Sequence, residues 1–280
     1  MKSIFDQVSV NSAQLVTKKY STSFSLAVKM LAPTIRTAIY NIYGFVRFAD
    51  EIVDSFHEYD KEKLLHNFER DYYEALESKI SLNPILNAFQ QTVHTYQITD
   101  DLVQAFFNSM KADLYKTEYK TKEEYDAYIY GSADVVGLMC LKVFVNGNAK
   151  KYDELKEPAM RLGSAFQKVN FLRDLKDDIE NLNRSYFPNV NLKELDNQSK
   201  NAIIEDIEKD FEIAFKEGVL KLPVEAKFGV YMAYRYYKKL LNKLKNTPSS
   251  KIMETRVRIS NPMKINLLAR SFVKYKLNLI

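Results

Sequence analysis

The sequence predicts a single all-α domain covering residues 1–280. Only 7 glycines and 7 prolines occur, too few for a turn-rich β protein. Long segments instead repeat apolar residues every three or four positions, the spacing of a helix with one buried face. Apolar residues make up 46% of the chain, enough to bury a sizeable core. No repeat, low-complexity tract or linker divides the sequence, so we expect one helical unit.

The predicted helices follow from this spacing and from residues that start or stop helices. Residues 20–25 are rich in hydroxyl groups and suit a turn or helix start, either as simple capping or as an anion site. Pro33 and Pro84 each open a helix, and Asp100 and Asp101 are expected to cap another. Helices are predicted over residues 5–18, 33–55, 61–79, 84–96, 100–115, 125–145, 153–183, 194–220, 223–246 and 261–278.

Two glycines interrupt the helix predicted over residues 125–145. Gly131 and Gly137 each cost about 1 kcal/mol relative to alanine in a helix interior. Without a side chain they let a bulky ligand or a neighbouring helix approach the backbone closely. We therefore expect a close contact on this helix.

A polar stripe marks the helix predicted over residues 153–183. Gln167, Asn170, Asp174 and Asp178 share a face, since residues three or four apart are neighbours on a helix. The two aspartates are like charges four residues apart, which costs an isolated helix about 0.2–0.5 kcal/mol. A divalent cation between them would reverse the sign of that interaction.

A second acidic pair has the same spacing on the helix predicted over residues 33–55. Asp50 and Asp54 follow Arg47 at the edge of an apolar stripe. Two such helices facing each other would line a cleft with oxygen ligands, which Mg²⁺ prefers and commonly supplements with substrate phosphate oxygens. A single acidic pair is more often a solvated face. Two pairs, each beside a core stripe and next to an arginine, favour a metal site.

Cysteine and histidine usage limits the kind of metal site. The single cysteine, Cys140, excludes an internal disulfide and fits a reducing compartment, with core filling as its expected role. The histidines lack the spacing of a metal site, so we interpret them as surface or rim residues. Any metal is therefore expected to be bound by oxygen. The histidines are His57, His66 and His94.

The localisation is predicted from two features of the sequence. Asp6 interrupts any apolar run near the start, so the N-terminus does not resemble a signal peptide. No stretch is expected to reach the ~20 apolar residues of a membrane span. We expect a cytoplasmic protein, with peripheral contact at the inner face of a membrane left open.

Charge is unevenly distributed along the chain. Residues 221–280 carry 14 lysines and arginines but only 2 acidic residues, a net charge of +12 in a chain whose total is +5. A basic region of this kind can bind anionic lipid, nucleic acid or a phosphorylated substrate. No nucleic-acid-binding motif accompanies it, so we expect no nucleic-acid partner.

The end of this basic region also contains an apolar strip. Interfacial helices combine such a strip with lysine and arginine. We therefore hypothesise reversible binding to anionic membranes; the alternative is that the strip packs into the core and the charge attracts phosphorylated ligands. The strip consists of Ile265, Leu267, Leu268, Phe272 and Leu279.

Taken together, the motifs resemble the squalene/phytoene synthase family of all-α prenyltransferases, and most of all its bacterial phytoene synthases. The likeness runs nearly end to end, and several separated motifs occur in the family's order. They are Tyr20-Ser21-Thr22-Ser23-Phe24, the stretch from Ile42 to Asp54, Arg161-Leu162-Gly163-Ser164-Ala165-Phe166-Gln167, Asn170-Phe171-Leu172-Arg173-Asp174, Asn183-Arg184-Ser185-Tyr186-Phe187-Pro188 and Arg256-Val257-Arg258.

The resemblance implies an isoprenoid-synthase-type helical bundle around a central apolar cavity, in which two prenyl diphosphates are joined head to head. One diphosphate leaves with the help of Mg²⁺, for which Mn²⁺ can substitute. The resulting C1 cation adds to the double bond of the second molecule, giving a cyclopropylcarbinyl diphosphate. A second ionisation, rearrangement and proton loss give the hydrocarbon, so no NADPH is expected. For this chain it implies a phytoene synthase of carotenoid biosynthesis that uses geranylgeranyl diphosphate.

The resemblance also implies roles for individual residues. The ligands of metal and diphosphate would be Asp50, Asp54, Asp174 and Asp178, with Asn170 completing the metal shell and Gln167 lining the site beside it. The groups that bind diphosphate oxygens would be Arg47, Arg173 and Arg256, together with Ser21 and Ser23. The aromatic residues near the reacting carbons would be Tyr130, Tyr186 and Tyr236.

Two positions depart from the family pattern. Asp134 stands where glycine usually follows alanine, and Tyr20 stands where histidine is common. An acid at position 134 bears on the bend of its helix, on the pocket and on the surroundings of the second diphosphate. Neither position belongs to the acidic motifs.

Other functions remain open from the sequence. A squalene or dehydrosqualene synthase would use farnesyl diphosphate, and squalene formation needs a nicotinamide reductant, for which no glycine-rich dinucleotide motif is seen. A terpene cyclase also pairs acidic helices around Mg²⁺, but usually has an Asp-Asp-rich first motif that this sequence lacks. A non-enzymatic helical protein at a membrane surface would explain the charge asymmetry and leave both acidic pairs without a purpose.

Overall fold

The computed structural model describes residues 1–188, 190 and 195–277, and it confirms the all-α prediction. Within these ranges the β pairing is limited to an isolated parallel bridge between Glu118 and Ser185. The α-helices, α1 to α13 in chain order, are Lys2–Tyr20, Thr22–Lys29, Pro33–Ser55, Lys61–Ser78, Pro84–Tyr96, Asp100–Ala112, Lys122–Ile129, Val135–Val145, Ala149–Glu180, Asn197–Ile213, Val224–Lys245, Ser249–Glu254 and Asn261–Lys276. Two π-helical turns, Tyr130–Asp134 and Ala214–Gly218, and a 3₁₀ turn, Val219–Lys221, join some of them.

Helix starts follow the predicted capping residues at several positions. Ser21 separates α1 from α2 and caps α2, since its Oγ accepts a hydrogen bond from the Phe24 backbone N–H at 3.2 Å. Asn83 caps α5 in the same way, and Pro33 occupies the first turn of α3. The hydroxyl-rich segment is therefore a helix start, as its composition predicts.

Other boundaries differ from the prediction. Asp100 and Asp101 do not cap α6, because Thr99 holds the N-cap position and the two carboxylates lie in the first turn, where they complement the positive helix end. The sequence prediction lacks α12, which at six residues is too short to show helical periodicity. The boundaries predicted at residues 194 and 278 lie outside the described residues.

Two hydrophobic clusters hold the helices together. The first is centred on Phe45 of α3, whose ring stacks on Phe89 of α5 at a centroid distance of 3.9 Å. In the second, Phe171 of α9 stacks on Tyr186 of the following loop, also at 3.9 Å. Such aromatic pairs add about 0.5–1.5 kcal/mol beyond the burial of their area. The clusters fix α3 and α9, the two helices that carry the acidic pairs.

The close contact expected at the glycines is present, and it is mainly with neighbouring helices. A Cβ on Gly131 would lie 2.0 Å from the Ser109 Oγ and 2.5 Å from the Ala105 carbonyl oxygen, both in α6. A Cβ on Gly137 would lie 3.1 Å from the Ala159 carbonyl oxygen in α9. A side chain at Gly131 would therefore push α6 away from the π-helical turn that follows α7.

One segment corrects the expectation about membrane spans. Lys122–Val145, which comprises α7, the first π-turn and α8, is long and apolar enough to cross a membrane by length and composition. More than half of its most apolar window is buried inside the protein, as in a core helix. We therefore interpret this segment as part of the core, against which α6 and α9 pack.

Candidate active site

A cavity of about 350 Å³ lies between α2, α3, α8, α9 and α11. Most of its wall is apolar, with Leu31, Leu155 and Val219 among the lining residues. Polar side chains gather at one end, which we call the mouth. The residues that define the mouth are Ser21, Ser23, Gln167, Arg173, Tyr236 and Tyr237.

The acidic pair of α3 lies beside the mouth. Arg47 forms ion pairs with Asp50 and with Glu51 on its own helix. Burial, and then the charge of the neighbouring Asp54, raise the pKa of Asp50 to about 7. A raised pKa in a carboxyl group means that the site disfavours its negative charge, so a cation placed there would be stabilised.

The acidic pair of α9 faces that of α3. Burial raises the pKa of Asp178 to about 8, with further contributions from Asp174 on the same helix and from Asp54 on α3. The effect of Asp54 on Asp178 shows that the two acidic motifs, far apart in sequence, lie close in space. The structure therefore brings the four predicted aspartates together beside the mouth, although none of them lines the cavity itself.

Two of the predicted arginines bind Asp174 of α9. Arg173 Nε donates to Asp174 Oδ1 at 2.8 Å, and Arg256 Nε lies 2.7 Å from the same oxygen. Arg256 comes from the loop after α12, and its Nη1 also lies 3.9 Å from Asp177 Oδ2. Asp174 is thus neutralised by two arginines, whereas Asp178 has no ion pair in the described part of the chain.

The polar stripe of α9 continues into the mouth. Asn170 Nδ2 donates to Gln167 Oε1 at 3.4 Å, and Tyr237 of α11 donates its hydroxyl proton to Asn170 Oδ1 at 3.2 Å. The sequence interpretation did not select Tyr237, because a tyrosine next to Tyr236 on an amphipathic helix is indistinguishable from a core residue. In the structure, the hydroxyl group of Tyr237 fixes the side chain of Asn170 from the opposite helix.

The start of α2 forms another side of the mouth. Ser21 and Ser23 both line the cavity. Lys264 of α13 donates to Thr22 Oγ1 at 2.9 Å, and its Nζ lies 5.7 Å from the centre of the Tyr236 ring. The positively charged ammonium group of Lys264 therefore lies next to the two predicted serines, although Lys264 is near the far end of the sequence.

Tyr20, the residue that departs from the family pattern, contacts a predicted site residue. The guanidinium carbon of Arg47 lies 4.5 Å from the centre of the Tyr20 ring, within the range of a cation–π contact. The tyrosine thus packs on the arginine beside the acidic pair of α3.

Arg184 is a buried site residue that the sequence interpretation included only as part of an exit-loop motif. Its Nη1 donates to Asp54 Oδ1 at 2.7 Å, and its Nη2 donates to the Asp113 carbonyl oxygen at 2.9 Å. Arg184 also lies 3.7 Å from the Asp113 carboxylate, whose Oδ2 accepts a hydrogen bond from Tyr128 at 2.9 Å. Its position directly after the acidic helix was the available signal; the contact with Asp54 is visible only in three dimensions.

The three predicted tyrosines occupy different places. Tyr236 lines the cavity. Tyr186 lies in the second hydrophobic cluster, with its hydroxyl 3.4 Å from Arg184 Nη1. Tyr130 packs against the first cluster and is absent from the cavity lining, although Ser132 and Ala133 from the same π-turn belong to it. The structure therefore brings one of the three to the cavity wall.

Asp134 is buried behind the cavity wall. Its Oδ1 accepts a hydrogen bond from the Ser164 hydroxyl at 2.7 Å, and burial raises its pKa to about 7. The backbone of Gly163 packs on this turn, since a Cβ on Gly163 would lie 2.9 Å from the Ala133 carbonyl oxygen. The unusual acid therefore joins the π-turn to α9 and does not point into the mouth.

The arrangement of acidic side chains determines which kind of metal site they can form. Among the residues that the structure describes, no three Asp, Glu, His or Cys side chains form a metal site by themselves. The clustered carboxyl groups, which raise the pKa of one another, nevertheless fit a cation that also takes oxygens from a substrate. The residues present thus fit Mg²⁺ shared with a phosphate group and do not form a closed protein cage.

Comparisons with known proteins identify the family of this chain. The chain matches the family model described as squalene/phytoene synthase over residues 17–262. It is 29% identical to a 4,4'-diapophytoene synthase of Staphylococcus haemolyticus over 200 residues, which cover 70% of this chain and 66% of that protein. It is 27% identical to a 15-cis-phytoene synthase of Synechocystis over an alignment of 286 positions, which covers 92% of this chain and 83% of that protein.

Solved structures show the same fold. A dehydrosqualene synthase superposes with a TM-score of 0.83 at 21% identity, covering 97% of this chain and 98% of that one. A squalene synthase from Alicyclobacillus acidocaldarius superposes with a TM-score of 0.74 at 17% identity, covering 86% and 95%. At these identities the likeness establishes the fold alone.

Proposed function

This chain belongs to the squalene/phytoene synthase family of head-to-head prenyl synthases, and on that basis we propose that it is a phytoene synthase acting in carotenoid biosynthesis. In the proposed reaction two molecules of geranylgeranyl diphosphate form a cyclopropylcarbinyl diphosphate, with loss of one diphosphate and one proton. A second ionisation, which releases the remaining diphosphate, followed by rearrangement and loss of a second proton, then gives phytoene.

One observation carries this proposal: two facing acidic pairs lie next to the polar end of an apolar cavity, where Arg173 lines the cavity and pairs with Asp174. A prenyl diphosphate has the matching division, with a charged head and a long hydrocarbon chain. A protein that only binds a membrane surface would need neither the apolar cavity nor the facing acidic pairs. The arrangement therefore favours an enzyme over the non-enzymatic alternative.

The charged groups at the mouth would bind the diphosphates. Mg²⁺, when bound, would stabilise the negative charge that develops on a departing diphosphate. The side chains that would hold it are Asp50, Asp54, Asn170, Asp174 and Asp178.

The arginines would exchange partners when substrate binds. Arg47, Arg173 and Arg256 now pair with the carboxylates of the site. A cation that takes over those carboxylates would leave the guanidinium groups available for diphosphate oxygens, which they bind in bidentate fashion. The serines Ser21 and Ser23 add hydroxyl donors at the start of α2.

The apolar wall would protect the carbocations. Water must be excluded, because it would capture an allylic cation before the second chain does. Tyr236 and Tyr237 line the cavity next to the charged groups, and an aromatic face contributes about 0.5–2 kcal/mol to a nearby cation. Tyr43 also lines the cavity and stacks on Phe24 at 4.8 Å.

The second candidate is a dehydrosqualene-type enzyme that uses farnesyl diphosphate. Support for it comes from the staphylococcal diapophytoene synthase among the relatives. Support for the longer substrate comes from the phytoene synthases among the relatives, including the Synechocystis protein, whose match spans 92% of this chain. We favour the longer substrate because the match to the Synechocystis protein covers more of this chain than the match to the diapophytoene synthase, 92% against 70%.

The test is to incubate the purified protein with Mg²⁺ and either geranylgeranyl or farnesyl diphosphate, and to identify the extracted hydrocarbon. We expect phytoene from the longer substrate, no change in product or rate on adding NADPH, and loss of activity on chelation that Mn²⁺ restores and Zn²⁺ does not. Efficient turnover of farnesyl diphosphate alone would favour the second candidate. A reduced hydrocarbon that forms only with NADPH would identify a squalene synthase, and no hydrocarbon from either substrate would refute both proposals.

A further inference from the structure

The last helix, α13, is apolar on two faces. Its inner face includes the buried Leu267, and Leu268 and Tyr275 pack against the first hydrophobic cluster. Its outer face exposes other large apolar side chains: Ile265 is 65% exposed to solvent and Val273 is 55% exposed. The outer apolar residues are Met263, Ile265, Phe272, Val273 and Leu277.

This arrangement divides the apolar strip expected from the sequence. Leu267 and Leu268 face inward, as the core alternative predicts, whereas Ile265 and Phe272 remain exposed. Leu279 lies outside the described residues. Core packing therefore accounts for one part of the strip and leaves a second part on the surface.

The charge of α13 matches the exposed apolar residues. Residues 261–277 contain four basic side chains and no acidic one. Basic residues beside an apolar face are the composition of helices that lie in the interface of an anionic bilayer. The basic residues are Lys264, Arg270, Lys274 and Lys276.

The helix also lies next to the mouth. Near its N-terminus Lys264 donates to Thr22 Oγ1 and lies above the ring of Tyr236, which lines the cavity. Farther along, Phe272 and Tyr275 pack on Phe228 of α11 at 5.8 and 4.8 Å. A surface that docks through α13 would therefore come close to the mouth.

We propose that the outer face of α13 binds anionic lipid bilayers and holds the mouth close to the lipid. The benefit of this placement rests on the proposed function, because the product of that reaction is an uncharged hydrocarbon with little solubility in water. The binding itself does not rest on it, since it needs only the apolar side chains and the basic residues.

The full chain, without substrate, is sedimented with vesicles of neutral phosphatidylcholine and with vesicles that also contain phosphatidylglycerol. We expect pelleting with the anionic vesicles at low salt and its loss at high salt, since exposed charges are screened. Equal and negligible pelleting with both vesicles would overturn the proposal. Because this assay uses no substrate, its failure is distinguishable from failure of the hydrocarbon assay.

A matched pair of variants assigns binding to this face. Ile265→Asn with Val273→Asn should weaken vesicle binding about tenfold or more, because two apolar side chains no longer leave water. The control, Ile4→Asn with Val8→Asn, changes residues of similar exposure on α1, 68% and 52%, and should leave binding unchanged. Light scattering on each variant tests whether the face instead binds a second copy of the chain. If the α13 variant converts a dimer to a monomer without changing pelleting, the face binds a second copy and the lipid proposal is wrong.

Discussion

The acidic pairs of α3 and α9 have the same spacing in the sequence but are neutralised differently in the structure. Asp54 of α3 pairs with Arg184, which is buried and held by Asp113 as well. Asp174 of α9 pairs with Arg173 on its own helix and with Arg256, which is partly exposed at the rim. Asp178 forms no ion pair within the described residues, and its pKa is raised to about 8 by burial and by Asp174 and Asp54. The α3 pair is thus anchored by a buried arginine through Asp54, whereas in the described part of the chain the α9 pair has ion pairs at Asp174 alone, one of them with the rim residue Arg256.

The largest expected effect separates activity from stability. Asp54→Ala and Asp178→Ala should each lower the rate of hydrocarbon formation by about 10²–10³-fold, since both remove charge where diphosphate and metal would bind. Without Mg²⁺, Asp178→Ala should leave the thermal midpoint level or slightly raised, because a repulsion is lost. Asp54→Ala should lower stability by about 1–3 kcal/mol, because Arg184 loses a buried partner.

The control for this prediction is Glu180→Ala, an exposed carboxylate at the end of the same α9 helix. Substitutions at such surface positions change stability by about 0.5 kcal/mol or less. If Asp54→Ala and Asp178→Ala both keep activity comparable to this control, the assignment of the acidic pairs is wrong.

The second prediction compares the two arginines. Arg184 is 5% exposed, so Arg184→Gln should cost about 3–5 kcal/mol of stability by leaving Asp113 buried without its cation. Arg256 is 39% exposed, so Arg256→Gln should cost less than about 1 kcal/mol. Denaturant unfolding measures both values, and adding Asp113→Asn to Arg184→Gln should recover part of the loss. Equal losses of stability in the two single variants would show that Arg184 and Arg256 do not differ in how strongly they anchor the acidic pairs.

A third prediction uses Asp134, a buried carboxyl group outside both pairs. Its pKa is raised to about 7 from an ordinary value near 3.8, so between these values the folded state keeps a proton that the unfolded state has lost. Stability therefore falls as pH rises through this window. Asp134→Asn should remove this contribution and stabilise the protein at pH 8 relative to wild type by up to about 4 kcal/mol, with little difference at pH 4. Thermal melts of both proteins across this range check the prediction, and parallel pH curves would refute it.

The smallest expected effect concerns the rim of the α9 pair. Tyr237→Phe removes the hydrogen bond to Asn170 and should lower the rate a few-fold, with a stability change of about 1 kcal/mol. Tyr236→Phe serves as the control, because Tyr236 makes no side-chain hydrogen bond in the described part of the chain. Steady-state rates at saturating substrate distinguish the two, and an equal loss in both variants would show that the hydroxyl of Tyr237 does not act through Asn170.

Much of the fold could be predicted because its causes are local. The helix starts at Pro33 and Asn83 and the two acidic stripes follow from spacing and capping within one turn. The family resemblance of the motifs is confirmed by the match over residues 17–262. That Asp50, Asp54, Asp174 and Asp178 share one site was predicted from these patterns, and the structure places them together.

Tertiary structure alone decided how the acidic pairs are neutralised. The contact between Arg184 and Asp54 joins residues 130 positions apart, and that between Arg256 and Asp174 joins residues 82 positions apart. It also decided which face of α13 is buried and that Tyr130 lies off the cavity wall. A sequence pattern defines which residues share one helix face, but which neighbour covers that face depends on how all the helices pack, and periodicity carries no information about that.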